Sequence, residues 1–146
     1  MSQIVSLRLT DETATRLKEI ARLSGRTVNE IGSTSIEEWI RQQEYAEIEF
    51  RSFQGVRHAC LKGHIRVWKI IMTAQDYAMD AEKTAEHFQL PLGKIKAAFH
   101  YYEAYPDEIN RPIDAISAMT FDKLKRLLPN LEAISIPAEA LNGDAE

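Results

Sequence analysis

Ile4, Ser6 and Arg8 occupy alternate positions of the segment IVSLRL. In an extended strand alternate side chains share one face, so these three stand together while Val5, Leu7 and Leu9 line the other side. That triplet suits the edge of a base pair. Arg8 could donate two parallel hydrogen bonds to guanine, Ser6 could bond to a base or a phosphate, and Ile4 could meet a thymine methyl. A second anion-directed pattern follows at Arg26, Thr27, Val28 and Asn29. These residues open a helix, where free backbone N–H groups attract phosphate and Arg26 adds positive charge.

Helices must hold both patterns. Thr10 and Asp11 offer a cap, and Ala14, Leu17, Ile20 and Ala21 form an apolar stripe that predicts a helix over 11–24, stopped by Gly25. Thr27 with Glu30 makes a capping box, and Val28, Ile31, Ser35, Ile36, Trp39 and Ile40 carry a second helix to about Arg41. Gly32 inside it costs roughly 1 kcal/mol relative to alanine; it either permits a close backbone approach or is merely tolerated. One strand and two helices in so short a unit leave the strand edges unpaired and bury little core. The expectation is a homodimer in which each chain gives one strand to an antiparallel ribbon, a shape that fits the major groove of DNA. The plainer alternative is a dimerisation module whose Arg8 is simply solvated.

Beyond this head, residues 42–55 form a charged connector with a weak alternation at Ile48 and Phe50. Two β-prone pieces around Lys62-Gly63 predict a hairpin turning there. Helical patterns follow. Trp68, Ile70, Ile71, Met72 and Ala74 mark a buried helix ending near Asp76, and Asp80 caps another with Ala81, Thr84, Ala85 and Phe88 inward. Pro91 opens a third to about Tyr105, with Ile95, Ala98, Phe99 and Tyr102 inward. Pro106 ends it, and Asp107 caps the next, with Ile109, Ile113, Ile116 and Met119 inward. This is the cadence of a helix-turn-helix domain. Arg66, Lys69, Lys83, Lys94 and Lys96 offer a second phosphate patch, while the aromatics at 99, 101, 102 and 105 serve either core packing or base stacking.

After a cap at Thr120 comes an apolar tail: Phe121, Leu124, Leu127, Leu128, Leu131, Ile134 and Ile136. It could lie in a partner's groove, or pack on its own second domain or the dimer mate.

Composition sets limits. The 146 residues carry 18 basic and 22 acidic side chains, net −4, which excludes a uniformly basic coat. Residues 1–45 hold 6 basic and 7 acidic groups and the remainder 12 and 15, so any nucleic-acid contact rests on a few placed groups. A lone cysteine, Cys60, precludes an internal disulfide and fits the cytoplasm. The opening residues do not resemble a secretory signal, and no apolar run approaches the roughly 20 residues of a membrane span. His58 and His64 flank Cys60 without completing a zinc pattern, and no phosphate-loop, dinucleotide or nuclease signature appears, so neither metal, cofactor nor enzymatic activity is expected.

Residues 3–42 resemble the ribbon-helix-helix (Arc/MetJ-type) class of dimeric bacterial repressors through VSLRL, the following T-D-E, the helical stripe and G-R-T-x-N-E-I. The resemblance implies base reading by Ile4, Ser6 and Arg8 and a phosphate clamp at Thr27, Val28 and Asn29. The chain departs from it in the apolar Ile4 and in Gly32. Residues 57–110 are similar to a small helix-turn-helix-like bacterial domain of formerly unknown function, through Ile65-Arg66-Val67-Trp68, Ala97-Ala98-Phe99-His100-Tyr101-Tyr102 and Pro106-Asp107-Glu108-Ile109-Asn110. Arg66 replaces that family's proline, Lys62-Gly63-His64 its turn, and Asn110 its last aspartate. Such domains accompany PIN-type ribonuclease toxins as antitoxins.

The expected architecture is therefore mainly α. It comprises a ribbon-helix-helix head over 1–43, a connector over 44–56, a helix-turn-helix-like domain over 57–111, and a C-terminal helix with its tail over 112–146. The expected function is an antitoxin that neutralises a cognate PIN-type ribonuclease and binds double-stranded operator DNA as a homodimer to repress its own operon, with higher assembly on the toxin. The alternatives are a stand-alone dimeric repressor and a purely structural dimer.

Overall fold

The computed structural model describes residues 1–63 and 65–134. Two helices come first, α1 (Asp11–Ser24) and α2 (Val28–Glu44). Thr10 caps α1 by accepting from the Thr13 N–H, and Gly25 closes it at φ 65°. The capping box of α2 is complete: Thr27 Oγ1 accepts from the Glu30 N–H while Glu30 Oε2 accepts from the Thr27 N–H. These ends match the expectation because each is set by residues within one turn.

The strand expected over 4–9 is absent from the single chain. Residues 1–10 belong to neither helix nor strand and are all exposed, since one strand has no partner within one chain. Of residues 1–44 only Ala21 is buried. Val5, Leu7, Leu9, Ile36, Trp39 and Ile40 remain open to solvent. A methyl group built on Gly32 would meet nothing within 4 Å, so no backbone approaches it within this chain.

The core lies further along. Strands β1 (Ile48–Phe53) and β2 (Val56–Leu61) pair antiparallel with Phe50 opposite Ala59. Their turn is Gln54-Gly55, not Lys62-Gly63 as the sequence suggested. Both turn residues have positive φ, 51° and 80°, the backbone that fits a two-residue hairpin to the strand twist. Around Lys62-Gly63 the chain reverses again, but only one bridge forms there, Cys60 to Arg66. The segment read as a connector thus holds a strand.

Four helices complete the core: α3 (Val67–Asp76), α4 (Ala81–Phe88), α5 (Leu92–Ala104) and α6 (Pro106–Ser117). Helix α3 buries Val67, Trp68, Ile70, Ile71 and Ala74 because β2, α4, α5 and α6 all pack on it. Ile48, Leu61, Ile95, Ala98, Ile109 and Ile113 fill the rest. Each such side chain contributes about 1.5–3 kcal/mol.

Three inward assignments change. Tyr101 is fully buried, whereas Phe99 and Tyr102 only flank the core. Pro106 starts α6 rather than merely ending α5, with Tyr105 in the cap position instead of Asp107. Ile116 and Met119 are exposed, because α6 runs past the end of the core.

The last helix, α7 (Phe121–Leu127), is capped by Thr120 as expected. It packs against no other helix or strand. No described helix is long and apolar enough to cross a membrane.

Candidate nucleic-acid interface and the joint behind it

Ile4, Ser6 and Arg8 are exposed on the N-terminal arm. A cleft of about 550 Å³ separates the arm at Ile4 and Val5 from the face of α2 that carries Asn29, Ser33, Ile36 and Ile40. The apolar side of the arm and the apolar side of α2 therefore front the same gap.

At the start of α2 the four phosphate candidates are not equivalent. The Glu30 carboxylate takes the Thr27 N–H at 2.7 Å and the Thr27 hydroxyl at 3.0 Å. The Thr27 backbone N–H, then its hydroxyl, holds that carboxyl below the usual range. An internal anion thus already occupies Thr27, and the backbone N–H groups of Val28 and Asn29 are those left for an external one. Arg26 points along α2 to donate to Thr34 Oγ1 at 3.1 Å.

The second basic patch is dispersed. The Arg66 guanidinium stacks over Phe53 and Trp68, and Lys69 also lies over the Trp68 ring. Lys94 reaches Glu47 and the Lys62 carbonyl, each at 3.4 Å. Lys83 and Lys96 are exposed on separate helices. Arg66 and Lys69 are thus brought together, and the three remaining lysines share no contact with them among the described residues.

The tail residues are presented rather than packed. Phe121, Leu127, Leu128 and Ile134 are exposed, and Leu124 and Leu131 are half-buried. Ile136 lies outside the described residues. Within one chain the tail does not fold onto the second domain through α7.

Sequence reasoning missed the joint between head and core. Arg41 of α2 donates to Glu108 of α6 at 2.6 Å and to Tyr101 of α5 at 2.9 Å, and Tyr101 donates to the other Glu108 oxygen at 2.9 Å. Its guanidinium carbon lies 3.9 Å from the centre of the Tyr105 ring. Burial opposes charge on Arg41, but the bonds to Glu108 and Tyr101 outweigh it and raise its pKa. Burial, followed by the Glu108 charge, also pushes the Tyr101 phenol up. A second clamp joins the same helix to β2: Arg57 donates to both oxygens of Glu38, at 2.9 and 2.6 Å. The signal available in sequence was slight, a helix ending Glu37-Glu38…Arg41 with charges on the side expected to face solvent.

Cys60 is buried and its thiol is pushed up by burial, the environment of an inert cysteine. Among the described residues no three His, Cys, Asp or Glu side chains gather as metal ligands. Comparison with protein-family models, curated proteins and solved structures finds no match to this chain.

Proposed function

We propose that this chain is a dimeric DNA-binding antitoxin. Two arms pair into a ribbon that enters the major groove of operator DNA, with Ile4, Ser6 and Arg8 toward the bases and the Val28 and Asn29 N–H groups toward phosphates. The helical second domain and the apolar tail hold a ribonuclease toxin, and the complex represses its own operon.

One observation carries the reading: the head has apolar side chains on both the arm and α2 but a single buried residue, Ala21. A unit with that pattern is complete only when a second copy supplies the missing half of its core. The presented tail supports a protein partner. The ribonuclease class follows from the resemblance of residues 57–110 alone.

The test combines mass and binding. Analytical ultracentrifugation gives a dimer, and Arg8→Ala lowers discrimination between operator and unrelated duplex by about 1–3 kcal/mol. A monomer at micromolar concentration, or unchanged discrimination, overturns the ribbon. Failure to inhibit a co-expressed PIN-type ribonuclease encoded beside this chain overturns the antitoxin role and leaves the ribbon standing.

A further inference from the structure

A cleft of about 270 Å³ lies between β2, α3 and α6, with Val56, Ile109 and Pro112 among its apolar lining. Trp68 forms part of the wall; it is 7% exposed, and its indole N–H has no acceptor among the described groups. A buried donor of this kind is rare, and an acceptor that reaches it recovers the cost of its desolvation.

Charge around the cleft is one-sided. Arg57 and Arg111 both line it, and the one acid that does so, Glu108, is already engaged by Arg41 and Tyr101. Arg111 is exposed and makes no ion pair among the described residues. The Arg66 guanidinium, 5.1 Å from the Trp68 ring, adds to the positive field. Burial and Arg66 lower the pKa of His58, another lining group, so it contributes little charge at neutral pH.

We propose that this cleft binds a small carboxylate with an apolar body about the size of one ring. The body sits among Val56, Ile109 and Pro112, while the carboxylate is drawn by Arg111 and accepts from the Trp68 indole N–H. The volume is near the lower limit of small-molecule pockets, roughly 300–1,000 Å³, which restricts the body to a ring or a short chain. Arg57 links the site to the head. Its guanidinium is held by Glu38 of α2, so a bound carboxylate competes with Glu38 for it. Occupancy therefore loosens one of the two clamps on the head helix.

The test uses nitrogen-15 NMR of the full chain, in which Trp39 and Trp68 give the two indole N–H signals. Loss of one in Trp68→Phe, or its protection from solvent exchange if that variant unfolds, identifies the buried indole. Phenylacetate is expected to shift that signal saturably, while phenylacetamide, which lacks the charge, and acetate, which lacks the body, bind at least about tenfold more weakly. Arg111→Gln weakens phenylacetate by a similar factor, and Glu38→Gln, which frees Arg57, tightens it. No saturable shift at Trp68, equal binding of phenylacetamide, or indifference to Arg111→Gln overturns the site. Unchanged affinity in Glu38→Gln overturns its link to the head. None of these outcomes depends on whether the arms bind DNA.

Discussion

Arg41 and Glu108 meet at 2.6 Å across a sequence separation of 67 residues. Arg41 belongs to the head and Glu108 to the second domain, so their bond and the shared Tyr101 hydroxyl make one joint of two units. Because the Arg41 side chain is largely buried and Glu108 is partly exposed, the pair is worth less than a fully enclosed one. Arg41→Met is expected to destabilise the chain by about 1–3 kcal/mol, through the unmatched Glu108 charge and Tyr101 hydroxyl. Arg41→Lys recovers only part, since one ammonium cannot reproduce two directed N–H bonds and the stacking on Tyr105. Urea unfolding monitored by circular dichroism measures both.

Glu30 poses a choice between folding and binding. Its carboxylate stabilises the start of α2 yet sits where a DNA phosphate would approach. Glu30→Gln keeps a side chain able to cap Thr27 and removes the charge. Affinity for duplex DNA is expected to rise severalfold at low salt, with little loss of helix content, as read by fluorescence anisotropy. Equal or weaker binding would remove the α2 N-terminus from the interface.

Acid acts on His58. Burial first, then Arg66, lowers its pKa in the folded state, against a weaker opposing effect of Glu108. The unfolded chain therefore takes up this proton first. The stability associated with neutral His58 is full above its unfolded value of about 6.5, declines as pH falls below that, and is gone below the lowered folded value. Melting temperature should fall between pH 7 and 5, and His58→Gln should flatten that slope. An unchanged slope would show that His58 does not carry it.

The tail separates stability from binding. Helix α7 packs against no other element, so deleting residues 120–146 is expected to change the unfolding free energy by less than about 0.5 kcal/mol. The same deletion should abolish inhibition of a ribonuclease partner while leaving DNA affinity intact. Retained inhibition would move the partner-binding role to the second domain.

What the sequence made legible was local. The caps of α1, α2, α4 and α7 and the Gly25 stop depend on groups within one turn, and all were readable. The hairpin turn escaped because Gln54 adopts a positive φ that asparagine or aspartate usually signals. Tyr101 escaped for a different reason. Periodicity alone ranks it with Tyr105 on the outer side, and only Arg41, from a helix 60 residues earlier, supplies the polar partner that lets its hydroxyl be buried. The candidate DNA-reading triplet is legible as an alternation, but its partner strand belongs to no residue of the same chain.

Helix α2 has 17 residues, a rod of about 25 Å, with its first turn at the proposed phosphate contact and its last turn bolted to the core. No supple linker intervenes: Tyr45, directly after α2, already packs edge-on against Tyr101 and Tyr105. In a paired head, two such rods would hold the two second domains at a set span. The protein would then act as a caliper, accepting only partners, or neighbouring copies along DNA, whose spacing agrees with its own.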